Sequence, residues 1–225
     1  MRGQILVLGV ASLISCMSGQ MSQAAVVKVT VTGPVDFCVI QGGLTNVPDG
    51  APVSMSFNVD SNNFVNSPNF PTRGYGIDLS SFALDVGGVN VPVVVPTPSG
   101  QPAYFVLRDN DPAVDGFFIS DGNVDFPFPL AVTIPGLAPV HELDFSVGYS
   151  NGNQISSLNI LDAVGTYDLS SIGSYLWTIG RFGNPGAEFA YQQITISVVP
   201  EPTSAVLSIS ALLVGGTMMR RCKTQ

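Results

Sequence analysis

The chain is short of charge, and shortest of positive charge. Asp, Glu, Lys and Arg make up 11% of its 225 residues, under half the quarter usual in soluble domains. Only eight residues are Lys or Arg, and Arg2, Arg220, Arg221 and Lys223 lie in the two terminal segments. Between residues 25 and 199 the four remaining cations, Lys28, Arg73, Arg108 and Arg181, face fifteen carboxylates, a net charge of −11. Affinity for nucleic acid comes from Lys and Arg displacing counterions from phosphates, so this balance argues against a nucleic-acid partner.

Histidine is scarcer still. His141 is the only one, which excludes a His-rich metal site, and any Ser-His-Asp or Cys-His arrangement would have to pass through it. No Gly-x-Ser-x-Gly elbow accompanies it. With Pro139 before it and a strand pattern after it, His141 reads as a loop or strand-edge residue. Of three cysteines, Cys16 falls in the N-terminal apolar segment and Cys222 in the basic tail. Cys38 is therefore alone in the middle of the chain, no disulfide can form there, and beside Val39 and Ile40 it reads as a small buried apolar residue.

Helical periodicity is also missing between the leader and Pro202. What fills that stretch is two-residue alternation. Val27, Val29 and Val31 alternate with Lys28, Thr30 and Thr32; Val53, Met55, Phe57 and Val59 with Ser54, Ser56 and Asn58. Leu143, Phe145, Val147 and Tyr149 alternate with Asp144, Ser146 and Gly148, and Ile194, Ile196 and Val198 with Thr195 and Ser197. Further strands are predicted at 77–86, 89–95, 103–108, 116–120, 129–134, 155–161 and 175–181, each bounded by Gly, Pro, Asn or Asp. Gly87-Gly88 and Ser150-Asn151-Gly152-Asn153 predict hairpin turns, residues 160–164 a single helical turn, and residues 60–74 a strand-free surface loop. About 175 residues lie between the terminal segments, enough for one domain with its own core. The expected fold is all-β, an antiparallel β-sandwich of jelly-roll type.

The two ends have a different character. Met1-Arg2, an apolar stretch at 5–14 and the small-x-small sequence Ser22-Gln23-Ala24 predict a secretory signal peptide over residues 1–24, cleaved after Ala24 or Ala25. Leu13-Ile14-Ser15-Cys16 also fits a bacterial lipobox, in which Cys16 would be lipidated. At the other end, Val199-Pro200-Glu201-Pro202 precedes seventeen uncharged residues, 203–219, and then Arg220-Arg221-Cys222-Lys223. As a helix that run is about 26 Å long, just enough to span a thin bilayer, with the arginines holding its end on the cytoplasmic side. A core helix is disfavoured because Pro200 and Pro202 break continuation from the domain and the run has no polar face.

Val-Pro-Glu-Pro, a short apolar helix and an Arg-Arg cluster within residues 199–225, paired with a signal peptide, resemble the PEP-CTERM sorting signal of Gram-negative and related bacteria. This segment is sometimes labelled an ice-binding protein C-terminal domain, which says nothing of ice here. The resemblance implies an exosortase-type membrane enzyme as partner, recognition at Pro200, Glu201 and Pro202, a membrane helix at 203–219 and a stop at Arg220 and Arg221. Gly215-Gly216 within the helix and Cys222-Lys223-Thr224-Gln225 beyond the arginines depart from the pattern. The resemblance covers about an eighth of the chain, and leaves residues 25–198 as the exported domain. Many substrates of this system carry low-charge β ectodomains associated with extracellular polysaccharide, which the middle region resembles in style without a diagnostic motif.

Within the domain, Asp109, Asp111 and Asp115 form the densest carboxylate cluster, with Asp121-Gly122-Asn123-Val124-Asp125 following. Such a loop could supply calcium with hard oxygens. The spacing departs from the EF-hand pattern, with Ala113 and Val114 at positions that need Asp or Asn and Gly, and favours a pair of Asn/Asp turns at strand ends. No other cofactor is expected. Glu142 and Asp144 fall on the solvent side of their strand rather than in a cleft. Trp177, the only tryptophan, lies with Tyr175, Arg181 and Phe182 in a segment that reads either as core or as a platform for a sugar ring. No catalytic set emerges. The expected role is non-enzymatic, an exported cell-surface or matrix protein, with a carbohydrate-binding module or a hydrolase as alternatives.

Overall fold

The computed structural model describes residues 24–94, 102–111, 114–119, 125–127, 129–138, 140–150, 152–181 and 184–200. Residues 1–23 of the expected signal peptide, Glu201, Pro202, the run 203–219 and Arg220-Arg221 lie outside the described residues. Among the described residues thirteen strands form one antiparallel sheet. Three long ones lead: β1 (Val26–Cys38), β2 (Pro52–Asn66) and β3 (Thr72–Val86). The short β4 (Val89–Asn90), β5 (Val93–Val94), β6 (Tyr104–Arg108), β7 (Asp115–Ile119) and β8 (Leu130–Thr133) follow. The chain ends in β9 (Val140–Tyr149), β10 (Gly165–Tyr167), β11 (Ile172–Arg181), β12 (Asn184–Phe189) and β13 (Gln193–Val198).

Alternation dictates which face of each strand turns inward, and the register preserves it across strands. Val27, Val29 and Val31 lie opposite Val59, Phe57 and Met55 of β2, while Val29 and Val31 lie opposite Ile196 and Ile194 of β13. All are buried. The hydrogen-bonded path β1–β2–β3–β6–β7–β9–β11–β12 returns to β1, so the sheet closes on itself around one core. Closure leaves those strands without exposed edges.

The closure depends on a bend. β12 and β13 run on as one partner of β1, bridged by Ala190 N–H to Pro34 O (2.9 Å) and Gln192 N–H to Thr32 O (3.0 Å). The first half pairs with β11 and the second carries β10 on its far edge. At the bend any Cβ on Gly33 would collide with the Ala190 carbonyl. The Gly87-Gly88 hairpin is present as expected, with φ of 61° and 85°, values that match a type I′ turn. Gly88 N–H donates to Asp85 Oδ1 at 2.8 Å.

Three expectations from the pattern fail. The stretch 60–74 is not strand-free: β2 runs to Asn66 and β3 starts at Thr72, leaving only 67–71 as the connection. Residues 155–161 are not a strand, so the turn expected at Ser150-Asn151-Gly152-Asn153, of which Asn151 lies outside the described residues, does not join two paired strands: the next strand, β10, pairs with β13. Ile155, Ile160 and Ala163 are buried, and Tyr75 Oη pins the segment by donating to Leu158 O (2.8 Å) and accepting from Ile160 N–H (3.0 Å). Apolar residues read as one face of a strand here belong to the main core without joining the sheet, with the expected turn at 160–163. Both β10 and β12 escape the pattern, since Gly165-Thr166-Tyr167 and Asn184-Pro185-Gly186 carry no alternation. Among the described residues no helix is long and apolar enough to cross a membrane.

Candidate functional site

Runs of consecutive buried residues on β6 and β7 depart from inside-outside alternation, and they locate the cleft. Along β6 the central Phe105, Val106 and Leu107 are all buried, and β7 is buried throughout. Phe105, Leu107, Phe117 and Ile119 face the main core. Val106 and Phe118 instead form a second cluster with Phe126, flanked by Tyr104. Register places this cluster on the outer face: Val106 lies opposite both Gly74 and Phe118. Gly74 leaves room for the Phe126 ring, whose nearest atom would stand 2.5 Å from a Cβ there. Segment 125–126 therefore lies over the outside of β3, β6 and β7.

Beside that cover is a cleft of about 270 Å³. Arg108 and Thr72, opposite one another on β6 and β3, form its floor with Phe118, and Phe70, Asp111, Asp125 and Phe126 form its walls. Its shape is fixed by the 67–71 connection. Ser67 Oγ accepts from the N–H groups of Asn69 (3.0 Å) and Phe70 (2.9 Å) and donates to Asp125 (2.7 Å). Asn69 Nδ2 adds a bond to the other Asp125 oxygen at 3.0 Å. Phe70 is 57% exposed. The Arg108 guanidinium lies 5.4 Å from the Phe118 ring centre, within cation–π range. Its Nε sits 3.4 Å from Asp111 Oδ2 and is buried without a hydrogen-bond partner.

The three aspartates singled out for calcium have separate roles. Asp115 is fully buried; its Oδ1 accepts from Asn110 N–H (3.0 Å) and its Oδ2 from Gln154 N–H (2.6 Å) and Ile155 N–H (3.1 Å). Asn110 has φ of 54°, a left-handed conformation that Asn tolerates, and its side chain donates to Asp109 Oδ1 at 2.8 Å. Asp111 pairs with Arg108. Among the described residues no group of three His, Cys, Asp or Glu side chains could hold a metal ion.

Trp177 is core: it is 1% exposed and meets Phe145 and Phe189 edge-on, at 6.0 and 5.2 Å. A sugar platform on that indole is thereby overturned, because Trp177 and Ile179 of β11 face the main core. A second cleft opens nearby, lined by Asp36, Tyr175, Leu176, Thr178 and Glu188 with Trp177 and Phe189 beneath. His141 is buried on β9 opposite Val132, and Cys38 is half-buried with Sγ 3.9 Å from Leu44 O. Glu142 is exposed and Asp144 half-buried, on the outward positions of β9.

A tyrosine network fixes the far side of the core. Tyr191 donates to Tyr167 O at 2.7 Å and lies 2.8 Å from the Tyr149 hydroxyl, while Tyr149 also reaches Asp168 O at 3.3 Å. Burial, opposed by the Tyr191 bond, pushes the Tyr149 hydroxyl up to about 12. Burial and the Tyr149 contact raise Tyr191 further, and burial raises Tyr167.

Pattern reading missed Phe70, Phe118, Phe126 and Asp125 as one site because they come from three separate segments. Gly74 was the available sign, a glycine within a strand marking close approach. No family model matches the chain, and no curated protein or solved structure does either.

Proposed function

We propose that the chain is a non-enzymatic exported surface or matrix protein, in which a closed all-β domain is carried out by residues 1–24, held at the membrane before processing by a helix at 203–219 and sorted through Pro200, Glu201 and Pro202. The observation that carries this reading is the succession in residues 199–225 of the Pro-Glu-Pro element, an uncharged run and Arg220-Arg221. The domain's ends support it. Val199 N–H bonds Val26 O at 2.8 Å, and Ala25 N–H donates to Ser61 Oγ at 2.9 Å. The cleavage point and Pro200 therefore leave the domain side by side, where a processing enzyme at the membrane reaches both. We read the closed sheet as a flattened sandwich of jelly-roll type, with the bend at 190–192 as its corner.

Replacing Pro200, Glu201 and Pro202 with alanine in the native host tests the sorting claim. Accumulation of an unprocessed, membrane-held form is expected; unaltered maturation would refute the claim.

A second reading is a module that contacts extracellular polysaccharide. It is favoured by the outer-face cleft, where an exposed ring stands among charged groups. A glycan array probed with the full chain tests it, and an array without binders would count against it. The hydrolase reading needs a carboxyl group to give a proton to a leaving group. Asp111 pairs with the Arg108 guanidinium and Asp125 accepts from two donors, which suits these groups to accepting hydrogen bonds.

A further inference from the structure

We propose that the cleft on the outer face of β3, β6 and β7 is a subsite for one neutral pyranose unit of a polysaccharide, with Phe70 as the stacking wall, Arg108 as donor, and Asp111 and Asp125 as acceptors. The inference rests on the second reading above and names its site and ligand class.

Size sets the first limit. At about 270 Å³ the cleft falls just below the roughly 300–1,000 Å³ of pockets that hold drug-sized ligands, so it admits a small unit such as one ring of a longer chain. Phe70 sets the second. This domain buries Phe57, Phe105, Phe117, Phe145 and Phe189 almost completely, yet leaves Phe70 57% exposed. The two N–H bonds to Ser67 Oγ hold its backbone, so less freedom remains to be lost when a ligand packs on the ring. The C–H face of a pyranose is apolar and fits such a ring, whereas its rim of hydroxyls needs donors and acceptors.

The polar groups meet that need. The Arg108 Nε is turned to Asp111 at 3.4 Å, but the side chain as a whole is 35% exposed and lines the cleft, so its guanidinium is the cationic donor group available to a sugar hydroxyl oxygen. The same hydroxyl carries a proton for Asp111, and a neighbouring hydroxyl can donate to Asp125. Charge selects among sugars. One guanidinium and two carboxylates leave the cleft at −1 within a domain of −11, which disfavours uronates, sulfated sugars and sugar phosphates. Two carboxylates also make it a poor site for a lipid chain, because their desolvation would go uncompensated.

The test uses the full chain in mild detergent on an array of neutral glucans, mannans and galactans, with uronate and amino-sugar polymers alongside. Binding to a neutral polymer is expected. Phe70→Ala and Arg108→Gln should each weaken it at least tenfold by isothermal titration with that polymer, at unchanged melting temperature for the exposed Phe70 position. Leu176→Ala, in the second cleft, should leave it unchanged. An array with no binder overturns the polysaccharide reading and the site together. Binding that survives Phe70→Ala and Arg108→Gln overturns the site alone, and preference for the uronate or amino-sugar polymers overturns the neutral-sugar assignment.

Discussion

Replacing Asp115 with alanine separates a structural carboxylate from a metal ligand. Its oxygens accept three backbone N–H groups, from Asn110, Gln154 and Ile155, and so tie the 109–111 turn and the 152–155 segment to the start of β7. Ile155 is buried, whereas Asn110 and Gln154 are partly reached by water. Leaving a buried donor unpaired costs about 1–3 kcal/mol, and the two wetter donors cost less. Removal of a buried charge returns part of this. The net loss is about 3 kcal/mol, a large share of the roughly 5–15 kcal/mol that holds a domain folded. For a domain of this size that lowers the melting temperature by about 6–12 °C. Asp115→Asn should also destabilise, since its amide group sets donors against donors. Thermal melts of wild type and Asp115→Ala, each with calcium and with EDTA, are the assay. A fall in the wild type on adding EDTA that Asp115→Ala does not share would refute the reasoning and make Asp115 a calcium ligand; a loss below 2 °C would refute the magnitude.

Two further outcomes follow from the core. Trp177→Ala should cost about 3–5 kcal/mol by denaturant titration, while Trp177→Phe should cost much less, because the indole N–H has no partner to lose; equal losses would contradict the packing assigned to it. Stability should also fall at alkaline pH. Tyr149 and Tyr191 are raised in the folded state, so the folded chain keeps protons that the unfolded chain releases above about pH 10. Their contribution is therefore complete below pH 10 and is lost as pH climbs towards 12, at up to ~1.4 kcal/mol per pH unit for each group. Urea midpoints at pH 9 and pH 11 measure this, with Tyr149→Phe showing the shallower slope; a flat wild-type profile would contradict it.

The fold was legible where one face of a strand is wet. Val27 to Val31 and Leu143 to Tyr149 announce their strands because water on the outer side demands polar partners. Where both faces are covered, as in β7, the bounding Gly and Asp residues still mark a strand at 116–120; the signal fails where a strand carries Gly and Pro, as in Asn184-Pro185-Gly186. It misleads where apolar residues fill the core from a connection: Ile155, Leu158 and Ile160 look like strand residues but pack there outside any strand. Trp177 was readable in either direction from its neighbours, and register placed it inside. The outer-face cleft was hidden for a different reason. It depends on residues 70, 108, 111 and 125–126 meeting across the sheet, with only Gly74 to hint that a ring lies against the backbone. At the ends the proposed sorting signal rests on linear sequence alone, because a Pro200-Glu201-Pro202 recognition element would need no tertiary partner.

The most direct test of the sorting account is the intact mass of the chain recovered from the outside of its native host. The account predicts a chain that begins after Ala24 or Ala25 and ends close to Pro202, without residues 203–219 and the arginines. A surface form that keeps those residues, or one that begins at a lipidated Cys16, would contradict it.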